Sequence, residues 1–146
     1  MKSITMLWLI VMMLQSYTIL DKKEIFILDN LTYCNAVSYK YNIPDGVVLA
    51  IAAHESGWGT SKAYTNNCNP LGLRNNKDKA ITFKSKAHCY EYFGKMITTK
   101  QRYNEMLCPM NYRSYIVTLA ECGYNTEDPQ WAGKVIAIYL QLNKNL

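Results

Sequence analysis

The sequence predicts a mainly α domain of the α+β class, in which helices carry the core and one short stretch turns aside as β structure. Three observations predict it. Helix punctuation recurs along the chain: Pro44-Asp45, Ser85 and Asp128-Pro129 precede apolar stretches, and Gly57 and Gly123 follow them. Val47 to Ala53, "VVLAIAA", is apolar on every side, as a helix through the middle of a domain is. Only Leu71/Leu73 and Ile81/Phe83 alternate in the manner of strands, about the polar tip "NNKDK".

The elements follow in order. "DKKE" at 21–24 is a polar break, after which Ile25, Phe26, Leu28, Leu31, Ala36 and Val37 predict a first helix over 25–41. "YNIPDG" ends it. Pro44 fits the first position of the next helix and Asp45 its first turn, where a negative charge meets the positive end of the helix dipole. Gly57 stops that helix. Thr60 or Ser61 caps a short helix through Tyr64, and "NNCNP" is a turn cluster. Then comes the hairpin over 71–83. Ser85 starts a helix with Tyr90, Phe93 and Ile97 on one face; Tyr112 to Glu121 form another, ended by Gly123. Asp128 and Pro129 open the last, whose stripe is Trp131, Val135, Ile138 and Leu142.

The 146 residues suffice for one domain, expected at 21–146, behind a distinct N-terminal segment at 1–20. There Lys2 precedes Ile4 to Leu14, an apolar run of eleven. That is short for a bilayer span and matches the apolar region of an export signal. No A-x-A cleavage site appears, so an uncleaved anchor or an ordinary N-terminal helix stands beside the secretory reading. Sixteen Lys and Arg against eleven Asp and Glu give a net charge of +5, which suits an anionic partner such as a wall. The basic residues are scattered, so no nucleic-acid arm is indicated. Five cysteines, Cys34, Cys68, Cys89, Cys108 and Cys122, allow disulfides in an exported chain but leave one over. With no C-x-x-C, support for a zinc site is weak.

The chemistry concentrates in "AAHESGWGTS" at 52–61. Glu55 closes the most apolar helix. Burial, the negative end of that helix dipole and an apolar wall from Trp58 would each raise its pKa. A carboxyl kept protonated near neutrality is what a glycosidase needs to protonate a leaving oxygen. A helix-end glutamate paired to a Lys or Arg is the competing reading. A zincin would need H-E-x-x-H, and here Trp58 stands where the second His would be. A serine nucleophile has neither a G-x-S-x-G elbow nor more than two histidines, His54 and His88, to serve it.

The stretch "IPDGVVLAIAAHESGWGTSKAYTNNCNPLGLR" resembles the signature of bacterial glucosaminidases of glycoside hydrolase family 73. In that family a helix ends in E-S-G-W-G-x-S, which Glu55 to Ser61 match throughout. A downstream N-N-x-F-G-I-K-like segment follows; here Asn66-Asn67 begin it and Leu71-Gly72-Leu73-Arg74 replace its end. Farther on, Gly123-Tyr124-Asn125-Thr126-Glu127-Asp128-Pro129 resembles the family's G-Y-A-T-D-P with one extra residue, Glu127. The resemblance spans roughly 30 to 142.

It implies a lysozyme-like fold, a helical lobe and a small β-hairpin lobe with a cleft between them. It implies Glu55 as general acid and Tyr124 as a tyrosine across the cleft that orients the N-acetyl group or the reacting centre. Trp58 would shape the cleft, or pack in the core. Asn67 would bind sugar or hold the β lobe. The second carboxylate is open: Asp78 on the hairpin tip, Glu91 in the next helix, or none, with the substrate's own N-acetyl oxygen attacking instead. The expected activity is hydrolysis of β-1,4 bonds in peptidoglycan glycan strands, as an endo-β-N-acetylglucosaminidase. An N-acetylmuramidase and a non-catalytic glycan-binding or assembly protein are the alternatives. No metal or organic cofactor is implied, and an exported monomer is expected.

Overall fold

The first helix begins on a reciprocal cap. The structure is a computed structural model and describes residues 20–100, 103 and 111–144; the apolar run 4–14 and Cys108 lie outside them. Helix α1 is Lys22–Tyr41. The Asp21 carboxylate accepts from the Lys23 and Glu24 amides, and Glu24 accepts from the Asp21 amide, each at 2.8 Å. The polar break is thus a capping box, D-x-x-E, and the helix starts three residues before its apolar pattern does. Its buried face is Phe26, Asn30, Cys34, Val37 and Ser38, while Ile25 and Leu28 stay exposed.

Helix α2, Val47–Ser56, is the centre of the molecule. Val47 to Ala53 are all buried, each large aliphatic side chain contributing about 1.5–3 kcal/mol. It lies between α1 and the last helix. Pro44 and Asp45 sit in the turn before it, contrary to the expectation that they form its first turn. The reason is Gly46, the N-cap, whose φ of 77° places the chain outside helical geometry.

Helix α3, Lys62–Asn67, is capped by Ser61, and α4, Lys86–Thr99, by Ser85. Helix α5 is Tyr112–Glu121 and α6 is Trp131–Lys144. Helix α4 packs on α1, and α5 on α6. In α6 the buried stripe uses Ile136, with Ile138 only half-buried. A polar seam ties α1, α3 and α4: buried Asn30 donates to Tyr64 Oη at 3.0 Å and accepts from Tyr90 Oη at 2.8 Å. Tyr64 in turn donates to Asp29, which Lys86 pairs. Each buried polar atom in this seam is therefore satisfied.

The expected β-hairpin is not seen as a pair of strands. Among the described residues there is no strand, only one isolated antiparallel bridge between Arg74 and Ala80. Asn69 explains much of this. Its amide donates to the carbonyls of Leu73 (2.8 Å) and Ile81 (2.9 Å), and its oxygen accepts from the Leu73 amide (2.9 Å). A buried side chain thus takes bonds that a ladder rung would use. Asn75 closes the tip by accepting from the Lys77 and Lys79 amides. The alternating apolar residues do face inward, since Leu71, Leu73 and Phe83 are buried. The lobe is a loop pinned to the helices.

Candidate active site

Glu55 stands in the last turn of α2 because Gly57, at φ 56°, ends the helix there in left-handed geometry. Ser56 fixes the exit: its hydroxyl donates to the Ala52 carbonyl (2.6 Å) and accepts from the Gly59 amide (2.9 Å). The Glu55 carboxyl turns into a cavity of about 330 Å³ that it lines with Gly72, Arg74, Tyr124, Asn125 and Glu127, among others.

Its two oxygens are held differently. Oε1 accepts from the indole Nε1 of Trp131 at 2.7 Å. Trp131 is fully buried at the head of α6, so its N–H needs an acceptor and Glu55 is the one it meets. Oε2 lies against Gly72, where a Cβ would come within 3.1 Å. The Asn125 side-chain amide is also near enough to Glu55 to act on its carboxyl as a donor. Asn125 Oδ1 accepts from the Glu127 and Asp128 amides at 3.1 Å each, so its NH2 is the end turned toward the carboxyl.

Burial raises the pKa of Glu55 above its ordinary value of 4.5, while the bond from Trp131, the proximity of His54, the Asn125 amide and the charge of Arg74 draw it partly back. Desolvation wins, so the carboxyl is biased toward its neutral form. Tyr124 lies beside it. Its ring packs against Trp131 (5.2 Å between centroids) and Phe93 (5.8 Å). Its hydroxyl is buried with no hydrogen-bond partner. Burial first, and then the nearby charge of Glu55, holds the phenol far above its usual pKa, hence neutral and able to donate.

Other expected residues lie elsewhere. Trp58 does not wall Glu55. At φ 57° it turns away, packs edge-on against Phe26 at 5.9 Å beneath the Lys23 ammonium, and lines a separate pocket with Tyr64. Trp131 supplies the indole wall instead. The clue was available: a buried tryptophan heading a stripe directly after the G-Y-N-T-E-D-P segment has to place its N–H somewhere. Asn67 is outside the cavity lining and works through its carbonyl, which accepts from the Phe83 amide at 2.9 Å and ties the loop to α3. Asp78 stays on the exposed tip, paired with Arg74 at 3.0 Å, and does not line the cavity. Glu91 faces α1, bound by Lys40 (2.7 Å) and Tyr41 (2.6 Å). Among the described residues no group of three or more His, Cys, Asp or Glu is placed to hold a metal ion.

Comparison with known proteins points the same way as this geometry. Residues 31–144 match the family described as Glucosaminidase, mannosyl-glycoprotein endo-beta-N-acetylglucosaminidase. The chain is 27% identical over 146 aligned residues to the exo-glucosaminidase LytG of Bacillus subtilis, covering 82% of this chain and 51% of that protein. It is 41% identical over 51 residues to Protein bax of Escherichia coli, covering 35% of this chain and 19% of that one. It therefore spans about half or less of the length of these curated relatives. Among solved structures, the glycoside hydrolase domain of Salmonella typhimurium FlgJ superposes with a TM-score of 0.68 at 22% identity, over 86% of this chain and 91% of that one. The catalytic domain of the autolysin Auto from Listeria monocytogenes superposes with a TM-score of 0.74 at 19% identity, over 90% of each chain. The helical architecture is thus one shared with glycoside hydrolase domains.

Proposed function

The chain belongs to the glucosaminidase family, and from that premise we propose that it hydrolyses the β-1,4 glycosidic bonds of peptidoglycan as an endo-β-N-acetylglucosaminidase, with Glu55 as general acid. The observation that carries the proposal is the Glu55 carboxyl, turned into a cavity, fixed by Trp131 and biased by burial toward the protonated form. Protonating the glycosidic oxygen as the C–O bond lengthens removes the need to expel an alkoxide. The buried, unpartnered hydroxyl of Tyr124 is available to donate to the N-acetyl oxygen or to charge at the reacting centre. The glucosaminidase names of the family and of LytG favour that bond over the muramidase reading.

The positive net charge and the apolar run at 4–14 support an exported protein that meets an anionic wall. Among the described residues no helix is long and apolar enough to cross a membrane.

The test is release of soluble fragments from purified peptidoglycan by the wild type and by Glu55→Gln. The variant keeps the shape and the Trp131 contact but has no proton to give. A loss of at least about 100-fold, with an unchanged circular dichroism spectrum, is expected. Near-normal release would end the assignment of Glu55.

A further inference from the structure

A general acid alone leaves glycoside hydrolysis half explained, because a second group must act at the anomeric carbon. On the glucosaminidase reading above, we infer that Glu127 is that group, the general base that activates the attacking water.

Glu55 and Glu127 are the two carboxylates among the described residues that line the cavity. The other candidates are engaged elsewhere, Asp78 with Arg74 and Glu91 with Lys40 and Tyr41. Among the described residues no cation lies within ion-pair distance of Glu127. Its side chain lines the cavity and is exposed to solvent. It is also the residue by which "GYNTEDP" exceeds the family's G-Y-A-T-D-P pattern.

The two carboxylates are linked through Asn125. Its NH2 faces Glu55, and its Oδ1 accepts from the Glu127 amide at 3.1 Å. The side-chain amide of Asn125 therefore stands between the Glu55 carboxyl and the Glu127 backbone. An exposed acid on the same cavity suits the wider arrangement, in which about 6.5–9.5 Å between two carboxyls leaves room for a water, rather than the roughly 5 Å of a nucleophile.

In the step this assigns, Glu127 takes a proton from water as the water oxygen bonds to the anomeric carbon. The C–O bond breaks, its electron pair stays with the glycosidic oxygen, and that oxygen takes the Glu55 proton. The product is the inverted α-hemiacetal.

Reducing-end release from purified peptidoglycan is measured for the wild type, Glu127→Gln and Glu127→Ala, the last with and without azide, and the first anomer formed by the wild type is read by NMR. The inference expects kcat to fall at least about 100-fold in Glu127→Gln with KM within a few-fold. It further expects partial rescue of Glu127→Ala by azide as a glycosyl azide, and an α product from the wild type. Glu127→Gln within about threefold of wild type, or a β product, overturns it while leaving the glucosaminidase reading standing. No release by folded wild type overturns both. The anomer measurement needs no variant, so misfolding of a variant does not shield the inference.

Discussion

The indole N–H of Trp131 donates to Glu55 Oε1 at 2.7 Å, joining the head of the last helix to the end of the central one. The bond sets where the carboxyl points and leaves the other oxygen against Gly72. It also opposes the effect of burial on Glu55, because a donor stabilises the charged form.

Removing that donor should therefore raise the Glu55 pKa further. In Trp131→Phe, the alkaline limb of the pH–rate profile moves to higher pH, since the active form is the protonated one. Looser placement of the acid lowers kcat on the order of 10- to 100-fold. Stability falls by about 1–3 kcal/mol in denaturant titration. An unmoved limb would show that the indole does not tune this carboxyl.

Gly72→Ala tests the other oxygen. The residue has φ 60°, and the new Cβ would sit 3.1 Å from Oε2. Backbone strain of about 1–2 kcal/mol is expected. Activity should fall more than stability does, because the carboxyl must shift to make room. Equal activity with lower melting temperature would mean that Glu55 has slack at this wall.

Stability should carry the signature of a raised acid. Between the ordinary value of 4.5 and the higher folded value, the native state holds a proton on Glu55 that the unfolded chain has released. Native stability is then full below the unfolded pKa and declines as pH rises through the folded one. Glu55→Gln lacks this decline, so its melting temperature should exceed the wild type's by a margin that widens from pH 4 to pH 8. A constant margin would mean that burial does not perturb the group.

Gly94→Ala probes the scaffold away from the cavity. A Cβ there would lie 2.1 Å from the Tyr41 ring, whose hydroxyl donates to Glu91 at 2.6 Å. Helices α1 and α4 must separate or the ring must swing out. A loss of about 1–3 kcal/mol is expected, with the pH–rate profile unchanged.

Much of this molecule was legible as sequence because its signals are local. The all-apolar run Val47 to Ala53, Ser61 and Ser85 before their helices, and Gly57 after the central one act within a turn or two of themselves. The same holds for placing Glu55, a carboxyl directly after that run. Trp131 was visible as a core residue, yet its bond to Glu55 joins residues 76 apart, and no periodicity reports such a contact. Trp58 was open between cleft and core, and it packs against Phe26, because adjacency along the chain is not adjacency in space and a φ of 57° turns it to another face. The hairpin is reduced to a single bridge for a similar reason: Leu71, Leu73, Ile81 and Phe83 alternate as a strand pair would, and the Ile81 amide still donates to the Leu73 carbonyl, but Asn69 takes the Leu73 amide and the Ile81 carbonyl from inside. Asn125 and Glu127 stand in a turn, and only the folding of that turn onto the Glu55 cavity brings them to the site.

The most direct measurement is mass spectrometry of borohydride-reduced fragments from purified peptidoglycan, for the wild type beside Glu55→Gln. Fragments ending in reduced N-acetylglucosamine, absent from the variant, are the predicted result. Such fragments from both proteins would contradict the role of Glu55, and fragments ending in reduced muramic acid, or none from a folded wild type, would contradict the glucosaminidase activity itself.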